Sequence, residues 1–272
     1  MYESYWQLRE KPFDNNVEPR YYYPGESHQA ALLKLRYAIE NRRGAALLAG
    51  PCGSGKTLLT RMLGSVLGEQ FRPLVYVVFP QMSTAELLAY LADQLDGSPT
   101  ASGGGVQDSI RRIEHFLRDN TQERQHAVVV IDEAHLLANA QTLEALRLLL
   151  NFEHDGQPGL TMLLAGSPGV LPMLARLPQW EERLGVKCLL RPLAEQETAA
   201  YVQHRLRVAG AQRDIFEPEA FAALHALTHG IARQINRLCD LALLIGFAEE
   251  RSSISAAHLE AVCQELVAVT PE

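Results

Sequence analysis

The sequence predicts an α/β protein, with a parallel five-stranded sheet flanked by helices and a smaller helical domain after it. The first observation is a series of five short apolar runs, of which the second and third are rich in β-branched residues. Such runs are typical of strands that are buried on both faces of a parallel sheet. The second observation is that helical patterns separate these runs, and the third is that only helical patterns follow them.

Predicted strands and helices alternate along the first 193 residues, which gives right-handed crossover connections. The strands are expected at 45–50, 73–79, 127–132, 160–166 and 185–190. The helices are expected at 28–42, 57–68, 84–96, 107–119, 136–152 and 169–178. The stretch SPTASGGG at 98–105 is expected to be a flexible surface loop.

We place the boundary between the two domains near residue 193. The α/β domain then covers 1–193, with an aromatic segment and the first helix in 1–43, and the helical lid domain covers 194–272. Pro218 suits the first turn of a lid helix, and Ser255 is expected to cap the last one. The lid helices are expected at 195–209, 217–228, 231–248 and 256–268. Six arginines, no lysine and eleven acidic residues give the lid a formal charge of −5.

Composition places the chain among ordinary globular proteins, with 47% hydrophobic and 21% charged residues. A net charge of −7 argues mildly against a dedicated nucleic-acid binder, because phosphate contacts supply most of such a protein's affinity. The four cysteines form no CxxC pair, so free thiols in a reducing cytosol are expected. The polar start predicts no signal peptide, and glycines and prolines interrupt the most apolar window, 160–177. A cytoplasmic protein is therefore expected.

Residues 50–57 read GPCGSGKT, which fits the phosphate-loop pattern G-x-x-x-x-G-K-[ST]. The stretch follows a predicted strand and opens a predicted helix. Glycines let the backbone N–H groups wrap closely around a triphosphate, and the helix directs its positive end toward the phosphates. Lys56 is expected to reach the β and γ oxygens of ATP, and Thr57 to bind Mg²⁺. The predicted nucleotide-binding residues of the loop are Gly50, Pro51, Cys52, Gly53, Ser54, Gly55, Lys56, Thr57 and Leu58.

A second acidic motif follows the predicted strand that ends at Ile131. The carboxyl end of a strand in an open α/β sheet faces the crevice where ligands bind. Asp132 would hold Mg²⁺ through its water shell, and Glu133 would polarise the attacking water. Alternatively, the two acids cap the next helix. His135 is left open as a sensor, a polar packing residue or a surface group.

Asp132 to His135 spell DEAH, a box that many helicases share. Helicases with this box need two stacked lobes, whereas this chain has room for one α/β lobe and about 80 helical residues. A phosphate-loop core followed by a small helical lid is the plan of the AAA+ ATPases. The sequence therefore favours a P-loop NTPase of the AAA+ type over a helicase.

Arginines complete the site in ATPases of this plan. Arg233 begins a predicted lid helix and would contact the γ-phosphate, the alternative being a salt bridge at the helix start. Arg183 precedes the last predicted strand and would act as an arginine finger on a neighbouring subunit. The alternative for Arg183 is an ion pair beside Glu181 and Glu182, and Arg176 is the substitute finger.

Several stretches, in order along nearly the whole chain, resemble the ExeA/GspA-type ATPases of bacterial general secretion, which are similar to the TniB-type ATPases. The aromatic-rich start with LREKPF and HQAALLKL matches the family's opening. RPLAEQETAAYVQHRLRVAG resembles the entry to its lid, and GIARQINRLCDLALL resembles its lid signature. The resemblance implies that Phe13, Tyr23 and His28, with Ile231 of the lid, lie near the adenine. From the residues alone, the aromatic segment is more often core than ligand pocket.

The resemblance implies a Mg²⁺-dependent ATPase that forms rings or dimers, with Arg183 acting in trans, and that works on a secretion or pilus complex. Ser167 stands where the family usually has glutamine, a position that can sense the γ-phosphate, and serine is the shorter side chain. Many members continue into a membrane span and a peptidoglycan-binding domain, whereas this sequence ends at Glu272. The output is thus expected to pass through a protein partner, with the chain cytoplasmic or peripheral at the inner membrane. The alternatives are a DNA-associated regulator of transposition or replication and a nucleotide-binding scaffold that does not hydrolyse ATP.

Overall fold

The structure, a computed structural model, describes most of the chain and contains two compact units. The described residues are 1–15, 18–98, 105–137 and 139–268. The loop expected at 98–105 lies almost entirely outside these residues. The first unit, here called the sheet unit, comprises Gln29–Gly50 and Leu59–Leu190. The second, here called the helical unit, comprises Met1–His28, Pro51–Leu58 and Arg191–Glu272.

All five predicted strands are present in the sheet unit, and together they form one parallel sheet. The strands of this unit are β1 (Ala45–Ala49), β2 (Leu74–Val77), β3 (Ala127–Ile131), β4 (Glu153–His154), β5 (Gln157–Pro158), β6 (Leu160–Gly166) and β7 (Leu184–Leu189). The parallel sheet has the order β2-β3-β6-β1-β7, and β4 and β5 form a short antiparallel hairpin that the sequence does not predict. The predicted fold class is confirmed.

Burial explains why these apolar runs become strands. Every residue of β1, β3 and β6 is buried, whereas the edge strands β2 and β7 are buried only in part. Central strands of a parallel sheet are covered on both faces, which is why they read as continuous apolar runs. In the register, Ala49 pairs with Gly166, and Ile131 pairs with Leu164. The three central strands therefore end at the same edge, here called the carboxyl edge.

In the part of the chain that the structure describes, seven α-helices begin before β7, and some of them differ from the prediction. They are α1 (Glu26–Glu40), α2 (Lys56–Val66), α3 (Thr84–Asp96), α4 (Val106–Gln122), α5 (Ala140–Leu149), α6 (Val170–Ala175) and α7 (Pro178–Arg183). The helix predicted to begin at 136 begins at Ala140, because Asn139 caps it through a 2.8 Å bond from the N–H of Thr142 to its Oδ1. Residues Ala134–Leu136 form a separate 3₁₀ turn. Helix α7, which begins with Pro178, is not predicted.

The helical unit contains the four predicted lid helices within one residue of their expected ends. They are α8 (Glu195–Val208), α9 (Pro218–Thr228), α10 (Ala232–Ala248) and α11 (Ala256–Ala268). Ser255 caps α11 as predicted, since its Oγ accepts the N–H of His258 at 3.3 Å. The N-terminal aromatic segment packs into this helical core, where the buried indole of Trp6 donates to the carbonyl of Leu243 at 2.9 Å. Within the described residues, no helix has both the length and the apolar character to cross a membrane.

Candidate functional site

The phosphate loop, whose residues from Pro51 onward belong to the helical unit, needs glycine at two positions. Gly53 and Gly55 have φ angles of +79° and +93°, in the left-handed region that favours glycine. A Cβ on Gly53 would lie 2.7 Å from the Cβ of Arg233, closer than side chains approach. The curve of the loop and the close approach of its neighbour both depend on the missing side chain.

Two polar side chains of the loop are buried in a way that suits an anion. Lys56 is buried, and its Nζ donates to the carbonyl of Pro51 at 3.1 Å. The Oγ of Ser54 is also buried and has no hydrogen-bond partner among the described residues. An unsatisfied buried hydroxyl is uncommon and costly, and a phosphate oxygen would satisfy it. The loop residues therefore fit the phosphates of a nucleotide.

His28, at the start of α1, supports the loop from within the helical unit. Its Nε2 donates to the carbonyl of Ser54 at 2.8 Å, and a Cβ on Gly55 would lie 3.4 Å from the same nitrogen. Burial lowers the pKa of His28 and so favours the neutral ring, which can still donate this one bond from Nε2. His28 thus contacts the phosphate loop, and its expected position near the adenine stays a prediction.

Helix α10 begins directly against the phosphate loop. The backbone N–H of Arg233 donates to the carbonyl of Gly53 at 3.1 Å, so the loop satisfies an N–H that the first turn of a helix leaves unpaired. The guanidinium Nη1 of Arg233 lies 3.6 Å from the Sγ of Cys52. Ile231 contacts the loop too, with its Cγ2 3.3 Å from the position of a Cβ on Gly53. Two predicted site residues of the lid are therefore next to the loop.

The other two residues of the expected adenine pocket pack against aromatic rings. Phe13 is 2% exposed and packs edge-on against Phe216, with ring centroids 6.2 Å apart. Tyr23 packs against Tyr201 at 6.0 Å and against His204 at 5.9 Å. Phe13 is thus a core residue of the helical unit, as an aromatic segment is expected to be from the residues alone.

In the sheet unit, the acidic pair lies at the carboxyl edge, directly after the central strand β3. Asp132 extends the ladder, its N–H donating to the carbonyl of Val77 at 2.9 Å. Its Oδ1 accepts the N–H of Glu133 at 2.9 Å. Glu133 has φ 49° and ψ 38°, a left-handed conformation that costs a non-glycine residue about 1–3 kcal/mol. Such strain is concentrated at functional sites, and here it turns the chain sharply after β3.

Ser167 and His135 meet at the same edge, a contact that the sequence does not predict. The N–H of Ser167, which follows β6, donates to Nδ1 of His135 at 3.2 Å. The same nitrogen lies 3.4 Å from Oε2 of Glu133. The spelling DEAH gives no signal of this contact, since it depends on β3 and β6 being neighbours in the sheet.

Arg183 lies at the other edge of the sheet, where the strands begin. It ends α7 immediately before β7, and its Nη2 donates to Oδ1 of Asn151 at 2.5 Å. Six residues of β7 separate it from the carboxyl edge, a length of about 20 Å at the rise of a parallel strand. Glu181 pairs with Lys187 instead of Arg183. The substitute, Arg176, is exposed on a shallow cleft that Leu137 and Gly169 also line.

Comparison with known families identifies the fold and its class. A family model described as the AAA domain matches residues 39–174, half of the chain. The chain belongs to the AAA domain family. The match includes the phosphate loop, the acidic pair and Ser167.

One curated relative is similar to this AAA protein along the whole chain. General secretion pathway protein A of Aeromonas hydrophila is 35% identical over 275 aligned residues. The alignment covers 100% of this chain and 50% of the relative, so the chain spans about half the length of that protein. The predicted resemblance to the ExeA/GspA-type AAA ATPases is confirmed.

Solved structures share the AAA fold at low identity. Cdc6p of Pyrobaculum aerophilum has a TM-score of 0.75 and 16% identity, with 96% of this chain and 74% of that chain covered. ORC2 of Aeropyrum pernix, solved with ADPNP and ADP, has a TM-score of 0.68 and 18% identity, with 94% and 71% covered. Drosophila ORC, solved bound to DNA, has a TM-score of 0.70 and 16% identity, with 95% and 65% covered. At these identities the likeness shows the fold alone.

Proposed function

We propose that this chain binds ATP with Mg²⁺ and hydrolyses it to ADP and phosphate. The observation that carries the proposal is the order of the central strands, in which β1, β6 and β3 are neighbours and end at one edge. The residues that follow these strands are Gly50 of the phosphate loop, Ser167, and the pair Asp132 and Glu133. Ligands of open α/β sheets bind at this edge, so the predicted site residues of the sheet unit follow strands that end where a nucleotide would bind.

The phosphate loop binds the triphosphate in this proposal. Its N–H groups and the hydroxyl of Ser54 donate to phosphate oxygens, while Lys56 offsets the negative charge of the β and γ phosphates. The hydroxyl of Thr57 and the carboxylate of Asp132 are the oxygen donors that Mg²⁺ prefers. Bound Mg²⁺ would withdraw charge from the phosphate oxygens as the terminal phosphoryl group leaves.

Three further residues act on the terminal phosphate. Glu133 orients and polarises the attacking water, and its half-exposed carboxylate is open to solvent. Arg233, anchored next to the loop by its backbone, places a cation where it can interact with the γ-phosphate. Arg183 lies about 20 Å from the carboxyl edge of its own sheet and therefore serves a neighbouring copy, in a ring or a dimer. His28 and Ile231 hold the loop from its adenine side.

The biological role follows from the relative rather than from the site. Because general secretion pathway protein A is similar along this entire chain, we infer that hydrolysis drives assembly or remodelling of a secretion or pilus complex. A protein partner at the inner membrane would receive the conformational change, with this chain on the cytoplasmic side. Co-purification with such a complex that is lost in Lys56→Ala protein would support this role.

The hydrolysis proposal is tested with Glu133→Gln, which keeps the size of the side chain and removes its charge. We expect ATP binding to persist and turnover to fall by about 10²- to 10⁴-fold, the range for loss of a general base. Glu153→Gln, an exposed acid on the hairpin strand β4, is the matched control and should keep full activity. Turnover of Glu133→Gln at the wild-type rate would remove Glu133 from the mechanism.

A DNA-associated regulator of the TniB type is the second candidate, since Drosophila ORC shares the fold and is solved bound to DNA. The acidic balance of the chain, with a net charge of −7, opposes it. ATPase rates measured with and without duplex DNA, over a range of salt concentrations, separate the two. Stimulation that declines steeply with salt favours this second function, and no stimulation favours the first.

A further inference from the structure

His135 makes contacts at the carboxyl edge for which the proposed hydrolysis assigns no purpose. It lies in the 3₁₀ turn Ala134–Leu136, immediately after Glu133 and its left-handed backbone. Its Nδ1 accepts the N–H of Ser167 at 3.2 Å and lies 3.4 Å from Oε2 of Glu133. One ring nitrogen therefore lies between the proposed water-activating carboxylate and the strand end that carries Ser167.

The chemistry of the imidazole decides what this nitrogen does to Glu133. A nitrogen that accepts a hydrogen bond carries no proton, so in this tautomer Nδ1 of His135 cannot also donate to the carboxylate. The 3.4 Å approach of Nδ1 to Oε2 is therefore a packing contact and not a hydrogen bond in this tautomer. The ring limits the directions open to the Glu133 side chain, and both carboxylate oxygens keep their capacity to accept bonds from water.

The backbone around His135 is packed as closely as glycine allows. A Cβ on Gly166 would lie 3.2 Å from the backbone nitrogen of His135 and 3.3 Å from its Nδ1. Gly166 also accepts the N–H of Gly50, the first residue of the phosphate loop, at 3.1 Å. The end of β6 thus touches the start of the phosphate loop on one side and the turn that carries His135 on the other.

We propose that His135 is the positioning residue for Glu133. By accepting the N–H of Ser167, it fixes the turn after β3 to the end of β6, and this fixed turn holds the strained backbone that aims the carboxylate. The inference rests on the proposed function, because it concerns where Glu133 is held for hydrolysis. His135 itself does not touch the reacting atoms and is not a catalytic residue.

The test compares steady-state hydrolysis and ATP affinity for wild type, His135→Ala and His135→Asn. For His135→Ala we expect kcat to fall about 10- to 100-fold, as misplacement of a reacting group by about 1 Å does, while ATP affinity changes by less than about twofold. His135→Asn should recover most of the rate, because its Oδ1 can accept the N–H of Ser167. His154→Asn is the matched control and should keep the wild-type kcat. The side chains of the two histidines are similarly exposed, 27% for His154 and 26% for His135, and each lies close to an acidic side chain.

Two more variants keep the test decisive if His135→Ala folds poorly. In Gly166→Ala, His135 is kept, but the new Cβ lies against its backbone nitrogen and its Nδ1 and displaces the turn. We therefore expect kcat to fall while ATP affinity is unchanged. In a Glu133→Ala background, His135→Ala should cause no additional loss, since a positioning residue acts only through the group it positions. If Glu133→Gln is inactive while His135→Ala keeps the wild-type kcat, the positioning role is overturned and the hydrolysis proposal stands. If Glu133→Gln is itself fully active, the proposed role of Glu133 fails, and the positioning role fails with it. If His135→Ala lowers kcat by the same factor in wild type and in the Glu133→Ala background, the positioning role is also overturned.

Discussion

The two edges of the parallel sheet differ in the backbone strain and the exposure of the polar residue that each one carries. At the amino edge, fully buried His126 donates from Nδ1 to the carbonyl of Pro158 at 3.1 Å, and its Nε2 lies 2.9 Å from the hydroxyl of Thr161. At the carboxyl edge, Glu133 has a strained backbone and a side chain that is 43% exposed. The amino edge holds a fully buried, hydrogen-bonded histidine that stabilises the fold. The carboxyl edge instead carries a strained backbone and a partly exposed carboxylate at a cost in stability, as expected where a substrate binds.

Arg183 is the strongest challenge to this division, because it lies at the amino edge and is proposed to act in catalysis. If it serves the site of a neighbouring copy, Arg183→Ala should lower kcat by about 10³-fold, the lower end for loss of an arginine finger. Mixing this variant with Lys56→Ala protein should restore part of the activity, because mixed oligomers contain some complete sites. Arg176→Ala is the comparison variant, and a larger loss there would transfer the role to Arg176.

The absence of rescue on mixing would contradict a shared site even if Arg183→Ala is inactive. Arg183 also donates to Asn151, so the variant could lose a structural bond instead. Asn151→Ala removes that bond from the other side and should leave kcat within about twofold, as expected for a partly exposed pair. Equal losses in the two variants would assign Arg183 to the structure of the amino edge.

Asp132→Asn tests whether the carboxyl edge of the sheet binds Mg²⁺. The amide keeps the size and the bond to the N–H of Glu133 but removes the charge proposed to hold Mg²⁺, so kcat should fall by about 10²- to 10³-fold. Part of the loss should be regained at high Mg²⁺ concentration, measured as a rightward shift of the Mg²⁺ activation curve. Asp155→Asn, on the exposed hairpin turn, is the control. An unchanged Mg²⁺ curve for Asp132→Asn would remove Asp132 from the metal site.

Much of the sheet unit can be predicted from the sequence because burial on both faces leaves a continuous apolar signature. All three central strands carry it, and their predicted ends agree with the structure to within one residue. The sequence does not predict helix α7 or the β4–β5 hairpin, because a helix of six residues and strands of two residues are too short to show a periodic pattern. The start of α5 is misplaced because Leu136 and Leu137 continue an apolar pattern that the cap at Asn139 cuts off.

The site divides in the same way between local and long-range features. The phosphate loop and the acidic pair are continuous in sequence, so their spacing alone predicts them. The contact of His135 with Ser167 joins residues 32 positions apart and exists because β3 and β6 are neighbours, which no spacing reveals. The packing of Phe13 in the helical core is likewise a matter of tertiary structure.

His126 tests the structural half of the comparison through pH. Burial, with a smaller effect from the charge of Arg42, lowers the pKa of His126 from its ordinary 6.5 to about 4. The unfolded chain therefore binds a proton between pH 6.5 and 4 that the folded chain does not, so stability falls as the pH falls through this window. Between pH 7.5 and 4.5, the free energy of unfolding measured in urea should fall by about 2–3 kcal/mol more in wild type than in His126→Asn. Parallel losses in the two proteins would contradict a buried neutral ring.

Ser167→Ala is expected to have the smallest effect, although Ser167 lies among the groups of the carboxyl edge. The bond to Nδ1 of His135 comes from the backbone N–H, which alanine keeps, so only the short hydroxyl is lost. We expect kcat to change by about twofold or less, equivalent to about 0.5 kcal/mol, in steady-state hydrolysis with saturating ATP. A loss of tenfold or more would show that the hydroxyl reaches the γ-phosphate or the water despite its length. Ser167 would then take the sensing role that glutamine is expected to have in relatives, and the carboxyl edge would act through its side chains at each of its three strand ends.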